Sequence, residues 1–562
     1  PWLDLPGPRR LATGGALQPV VYGAHRAAGN FISAVQRVDA DGRAVFYGLL
    51  LLSRGPVQSI GGLTADFDEL SGPSIPDSIK IDGNPASSYD CKISGRLGGS
   101  EQNIVPGFNE TATTVSYANE LLQSAPFTHA TTQNVTGFDV LVTYPSGLIE
   151  YDDDPPNAGY AISVAFTVRW RVTGTTTWTS ETWTHTAANS AQISFQFSKR
   201  GLTSDRYEVQ IERTTAAAPF TRQLSASYML AVNEVVAQGF SYPGCALLGV
   251  RLVGSDQLAG GIPTITAQVE GRKVYIWDGV STTSPAFVET YTRNPAWIIF
   301  DLLTNTDYGL GRGGRLKLDA IHLEDFEAFA DWCDELVDDG RSGTVARAQC
   351  DHVADVERSG WELAVEIAYA AWGRLYFAGG KARIWIDKAA QPVFLFTNGN
   401  TREMRVSYLG RRTRSNAAEV QYLNAETDYE RDVATKLDDS AVLASSEAIR
   451  KASVAGTGIT RAAQAYRIAQ REVNAARYVS RRFEWISGPE SIHLLPGDVV
   501  YLHASAFGVG LGGRVLSATS STVKLDRTVT ASARARLVVT LQDDTTATVY
   551  VAAGTYARNA AI

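Results

Sequence analysis

Cysteine is scarce in this sequence, with four copies in 562 residues: Cys91, Cys245, Cys333 and Cys350. None stands in a C-x-x-C pair, which argues against a dense disulfide scaffold. Buried free thiols are the expectation, and spacing alone leaves a Cys333–Cys350 bridge open. A long apolar run is also missing. The longest, Tyr47-Gly48-Leu49-Leu50-Leu51-Leu52, is strand length and far short of a membrane-spanning helix. An excess of one charge is missing too. The net charge of -8 is mild for this size and gives no basic footprint for holding nucleic acid. Such a surface would let DNA slide past without sticking. The chain opens at Pro1 without a leader pattern and closes at Ala561-Ile562 without a cap, so both ends read as cut from a longer polypeptide.

What is present is ordinary globular material, 44% hydrophobic and 20% charged, long enough for three to five domains. Short β-branched and aromatic runs punctuated by 50 glycines predict a mainly β fold with α+β parts. Ile162, Val164, Phe166, Val168, Trp170 and Val172 alternate with polar residues, and a period of two puts all six on one face of a strand. Tyr207, Val209 and Ile211, and also Ile193, Phe195 and Phe197, repeat the pattern. The spacing predicts an inserted β-sandwich of fibronectin type III size over 129–216, with Asp152-Asp153-Asp154-Pro155-Pro156 as a loop in it.

Four helices are expected. Asn294-Pro295 caps and opens the first, which is apolar on every side through Leu303 and therefore deeply buried. Phe326, Phe329, Cys333 and Leu336 mark the second, ending before Asp339-Gly340. A third runs from Trp361 to Trp372, followed by a hairpin turning at Gly379-Gly380. Thr460 caps the fourth, with Ala462, Tyr466, Ala469, Val473 and Ala476 as its buried stripe. Strands return after residue 480 in the pattern of a small OB-like barrel. The expected domains are 1–128, 129–216, a barrel-like 217–310, an α+β 311–400, a second barrel-like 401–485 with the helix 460–478, and a C-terminal β module 486–562.

No catalytic or metal-binding motif emerges. The seven histidines have no H-E-x-x-H spacing. Cys350-Asp351-His352, with Cys333, is the one local constellation that a Cys–His dyad or zinc site would use, and it lacks a fourth ligand. Asp152-Asp153-Asp154 has no EF-hand spacing. Gly309-Leu310-Gly311-Arg312-Gly313-Gly314 follows a helix instead of a strand, which fails the dinucleotide context. Asp66, Asp68 and Glu69, and Asp438 and Asp439, read as surface acids. No catalytic, cofactor or metal residues are nominated.

Several segments, in order, resemble the host-specificity protein J family of lambda-like siphophages. They are Tyr242-Pro243-Gly244-Cys245-Ala246-Leu247-Leu248-Gly249-Val250, Ile276-Trp277-Asp278-Gly279, Asn294-Pro295-Ala296-Trp297, Asp301-Leu302-Leu303-Thr304-Asn305 and Tyr308-Gly309-Leu310-Gly311. Trp332-Cys333-Asp334, Ala348-Gln349-Cys350-Asp351, Ala417-Ala418-Glu419-Val420, Pro496-Gly497-Asp498-Val499, Gly512-Gly513-Arg514-Val515-Leu516 and Leu525-Asp526-Arg527 complete the series over roughly 125–540. Pro19 to Arg26 is similar to an N-terminal stretch of related tail proteins. The resemblance implies a multidomain tail-tip hub that closes the tail tube as a homotrimer, with two barrel-like domains per subunit giving pseudo-sixfold character and the sandwich outside. Its implied partners are the distal tail protein, other tail-tip proteins, the tape-measure protein and, in passing, phage DNA. The host outer-membrane receptor would be met by regions the family carries beyond this chain. Tyr242, Pro243, Trp277, Asp278, Asn294, Pro295, Trp297, Tyr308, Gly309, Pro496, Gly497 and Asp498 are the implied structural motif residues. Rival readings are a tail-carried cell-wall or polysaccharide hydrolase and a monomeric β-sandwich adhesin; a contractile-tail baseplate hub is a closer variant.

Overall fold

The computed structural model describes residues 17–39, 41–151, 159–216, 222–254, 262–410, 414–439, 448–504, 507, 514–541 and 546–561. The Asp152–Pro156 loop and Gly512-Gly513 lie outside them. The chain forms two compact units, one of 1–276, 287–293 and 351–358, the other of 277–286, 294–350 and 359–562.

The first unit is built on two sheets. One is antiparallel, with strands in the order Asn30–Val38, Ala44–Arg54, Cys245–Val253, Cys91–Leu97 and Phe67–Ser71. The other gathers Ala24–Ala27, Val57–Ile60 and Ile79–Ile81 around the long strand Ile265–Trp277. Ile60, Ile79, Ile93, Leu248, Val250, Leu252 and Val269 share one core. The expected split between 1–128 and 217–310 is therefore corrected. The Cys245–Val253 strand lies between two N-terminal strands, so both segments are one body. That strand is buried nearly throughout, and a continuous apolar run does not say which distant strands flank it.

Between Cys91–Leu97 and Cys245–Val253 the chain makes a sandwich of two four-stranded sheets. Their orders are Glu110–Glu120, Tyr228–Ala237, Gly137–Tyr144, Ile193–Lys199, and Phe127–Ala130, Tyr207–Arg213, Ile162–Val172, Thr179–Ala187. Ile162, Val164, Phe166, Val168 and Trp170 all enter its core, as their alternation requires. The sandwich reaches beyond 129–216 on both sides. Glu110–Glu120 was missed because it has little apolar alternation and is mostly exposed.

In the second unit α1 (Pro295–Thr304), α2 (Leu323–Asp334) and α3 (Gly360–Ala370) pack together, with Phe300 edge-on to Phe326. An expected boundary at 310 would have cut α1 from its neighbours. Leu336, expected on α2, is instead exposed on a short strand, Leu336–Asp338. The Asp338 and Asp339 carboxylates accept from the backbone of Gly340, Arg341 and Gly343, and this turn diverts the segment into a hairpin. α3 stops two residues before Trp372, which adopts φ +63° at the entry to the Gly373–Ala378/Lys381–Ile386 hairpin.

Helix α4 (Ala462–Tyr478) lies on the sheet of Glu430–Leu437, Ala417–Asn424 and Lys451–Ala455. Arg461, not Thr460, holds its N-cap position, because the Thr460 carbonyl is taken by the Ala425 amide. Its buried face is Gln464, Ala465, Ile468, Ala469 and Val473, about one residue round from the expected stripe, and Tyr466 turns outward beside Lys436. The expected cuts at 400 and 485 are also crossed. Phe394–Phe396 pairs with Val500–Leu502, and Thr401–Tyr408 pairs with Arg481–Ser487. In place of an OB-like barrel, the described residues beyond 514 form three two-stranded ladders.

Candidate functional site

The motif residues are joints that fix backbone paths. In the first unit Tyr242 takes φ +50° in the turn into Cys245–Val253, with Pro243 exposed. The buried amide of Gln102 holds this turn: its Nε2 lies 2.7, 2.6 and 3.1 Å from the carbonyls of Ser241, Tyr242 and Cys245, and its Oε1 accepts from the Gly98 amide. No local pattern marks Gln102 in the sequence, since its role comes from residues about 140 positions away.

Trp277 and Asp278 shape a turn at the end of the long strand. The buried indole donates to the Ser281 carbonyl at 3.3 Å, and the Asp278 carboxylate accepts from the Val280 amide at 3.0 Å. Asn294 does two jobs. Its Oδ1 accepts from the Ala296 amide at 2.9 Å and caps α1, while its Nδ2 donates to the Ala330 carbonyl in α2 at 2.9 Å. Pro295 sits at the first helical position, and Trp297 is buried edge-on to Phe300. At the other end of α1 the Tyr308 hydroxyl donates to the buried Asp301 carboxylate, which also accepts from Asn305. Gly309 is required by closeness: a Cβ there would stand 2.6 Å from the Leu302 carbonyl oxygen. This glycine-rich segment therefore caps α1.

Pro496, Gly497 and Asp498 form a tight turn in which the Asp498 carboxylate accepts from the Leu495 amide at 2.7 Å. Gly497 has φ +99°, and a Cβ there would fall 2.3 Å from the Trp385 ring. Pro496, Gly497, Trp385, Tyr369, Tyr376 and Arg374 line an open, largely apolar cavity of about 430 Å³. The Tyr369 hydroxyl donates to Glu472, and burial together with that carboxylate pushes its pKa up to about 12. Tyr369 thus stays a neutral phenol at physiological pH.

The other sequence candidates resolve as structural contacts. All four cysteines are buried free thiols, and burial raises the Cys333 pKa well above its ordinary value. That leaves Cys333 a poor nucleophile. Asp351 is buried; its carboxylate takes both the Nε (2.8 Å) and an Nη of Arg293 and the Ala24 amide. It is a clasp within the first unit. Asp68 and Glu69 pair with Arg96 and Lys92, and Asp438 and Asp439 with Arg477 and Lys436. Among the described residues no group of three His, Cys, Asp or Glu side chains is arranged to hold a metal, and no helix is long and apolar enough to cross a membrane.

Two buried histidine networks in the sandwich were not foreseen. His129 lies between the Tyr117 hydroxyl (2.7 Å) and the fully buried Glu234 carboxylate (3.2 Å), which also accepts from Thr132. His185 contacts the Tyr144 hydroxyl through Nδ1 at 2.7 Å inside a cage of Trp183, Phe166 and Phe195. Burial lowers the pKa of both, and that of His185 to about 3.

Two family profiles match the chain. Residues 111–238 match the FNIII-A domain of tip attachment protein J, over the same span as the sandwich, and residues 386–517 match a putative phage tail protein. The chain is 25% identical over 446 residues to tip attachment protein J of Escherichia phage SECphi27, covering 75% of this chain and 36% of that protein. With the tip attachment protein J of Escherichia phage SECphi4 the identity is 24% over 331 residues, 55% of this chain and 28% of that protein. The matched region thus spans about a third of the length of these curated relatives. A chain of the virion of a native gene transfer agent particle aligns over 90% of this chain and 83% of its own length, at 14% identity and a TM-score of 0.41.

Proposed function

We propose that this chain, a member of the tip attachment protein J family and so a structural protein of the bacteriophage tail tip, forms a trimeric ring that closes the tail tube and opens for DNA ejection. It works by packing, not by turnover. One observation carries the reading. The described C-terminal strands pair only as two-stranded ladders, and several of their apolar side chains stand in solvent, Ile486, Leu516, Val549 and Tyr550 among them. A two-stranded ladder is marginal alone in water, and neighbouring copies around a closed axis would cover these groups and leave no edge to extend.

The sandwich leaves and re-enters through adjacent strands of one core sheet, so it can decorate the ring without interrupting it. The distal tail protein, other tip proteins and the tape-measure protein would bind the ring, and receptor contact would fall to regions outside this chain. Opening would be a shift between two packings of the same subunits. The test is the mass and symmetry of the purified chain, alone and with its tail partners, by light scattering and electron microscopy. Three copies around a hollow axis are expected. A monomer in both settings, or measurable turnover of peptidoglycan, would overturn the reading.

A further inference from the structure

The ribbon of Thr401–Tyr408 and Arg481–Ser487 carries a charge pattern that its packing does not need. Its inner face holds Phe483 and Trp485, and Trp485 lies against Phe396 with ring centroids 4.9 Å apart. Its outer face holds Arg482, Glu484 and Ile486 from one strand. Opposite them stand Ser407, Arg405 and Arg402.

Arg402 and Arg405 are three residues apart, so in a regular strand they would point to opposite faces. A bulge between them changes that. Arg405 pairs with Glu484 and Arg402 with Ile486, two positions on the same face, while Glu403 in the bulge takes φ +52°. A left-handed conformation at a residue other than glycine, asparagine or aspartate is costly. Here it aligns two guanidinium groups outward. Both are exposed, and neither has an ion-pair or hydrogen-bond partner among the described residues. Glu484 is already engaged by Arg482 at 2.9 Å.

At the end of the ribbon Arg481 lies 5.4 Å from the ring centroid of Tyr408, its cross-strand partner on the Phe483 face, and both residues are exposed. Residues 401–409 and 481–487 hold four arginines against two glutamates, a net +2 in a chain of -8.

We infer that this outer face is a contact surface for the phosphate backbone of nucleic acid. Unpaired guanidinium groups on a common face are what a sequence-independent phosphate contact requires. The inference rests on the tail-tip reading, in which DNA passes this protein. It replaces the expectation of uniformly non-adhesive walls with one weak, salt-sensitive contact.

The test is binding of a short mixed-sequence DNA duplex to the full chain across a salt series. Two phosphate contacts, from Arg402 and Arg405, give a slope of log K on log[salt] of about -1.8, so affinity falls about 12-fold between ~50 and ~200 mM salt. The combined variant Arg402→Gln, Arg405→Gln should lose this slope, and the corresponding lysine variant should keep it. No binding at low salt, an unchanged slope in the glutamine variant, or loss in the lysine variant would each overturn the inference. Equal, equally salt-sensitive binding of polyglutamate would overturn it in favour of an acidic protein partner. Mass measured in the same samples, with and without the tail partners, separates the two readings: a trimer that ignores DNA sinks this inference alone, and a chain that binds DNA but stays monomeric in both settings sinks the ring alone.

Discussion

Acidification should weaken the sandwich through His185, and the size of the effect follows from where its imidazole lies. The ring is fully buried, stacked on Phe195 at 4.2 Å and edge-on to Trp183 at 3.9 Å. Its Nδ1 faces the Tyr144 hydroxyl, and no described group replaces the water that would solvate an imidazolium. Burial therefore holds the pKa at about 3 against 6.5 for the free side chain.

The folded state refuses a proton that the unfolded chain accepts below pH ~6.5. The contribution to stability is complete above that pH and lost at about 1.4 kcal/mol per pH unit as pH falls towards 3. Between pH 8 and pH 4.5 the loss is about 2.7 kcal/mol. His129, also lowered, titrates in the same window, so the difference between native and His185→Asn isolates the residue. Asparagine retains a partner for Tyr144 but does not titrate. Urea unfolding of residues 110–238, followed by the fluorescence of Trp170, Trp178 and Trp183, should show the variant weaker at pH 8 by about 2 kcal/mol. That gap should close, or reverse, by pH 4.5. A gap that stays constant within about 0.5 kcal/mol would refute the reasoning.

The other predictions concern joints. Gly497→Ala places a Cβ against Trp385 at positive φ and should cost about 2 kcal/mol or more, read as a lower thermal midpoint. Asn294→Ala removes a helix cap and the bond that ties it to the Ala330 carbonyl of α2, for a loss of about 2 kcal/mol by chemical denaturation, whereas Asn294→Asp should restore only the cap. Phe166→Ala should cost about 3–4 kcal/mol in the sandwich and leave the unfolding of the second unit unmoved.

Legibility followed the range of the interactions. The alternation through Ile162–Trp170 and the Asn294-Pro295 cap were readable because strand period and capping are local, set within a few residues. The motif positions Gly309 and Gly497 were also readable as glycines, although their reasons, the Leu302 carbonyl and the Trp385 ring, appear only in three dimensions. α4 shows the limit: several residues could line its stripe, and the sheet beneath it chose Ala465 and Ile468 over Tyr466.

By itself the amino-acid order determined the β character of this protein, its helices to within a few residues, and the kinship carried by its motifs. Tertiary structure alone decided that the N-terminal strands and Cys245–Val253 are one sheet, that Gln102 holds the Tyr242 turn, and that a bulge at Glu403 turns Arg402 and Arg405 to one side. The reason is physical. Periodicity and capping depend on near neighbours along the chain, whereas strand order, close approach and shared faces depend on residues that meet only after the chain has closed loops of many residues.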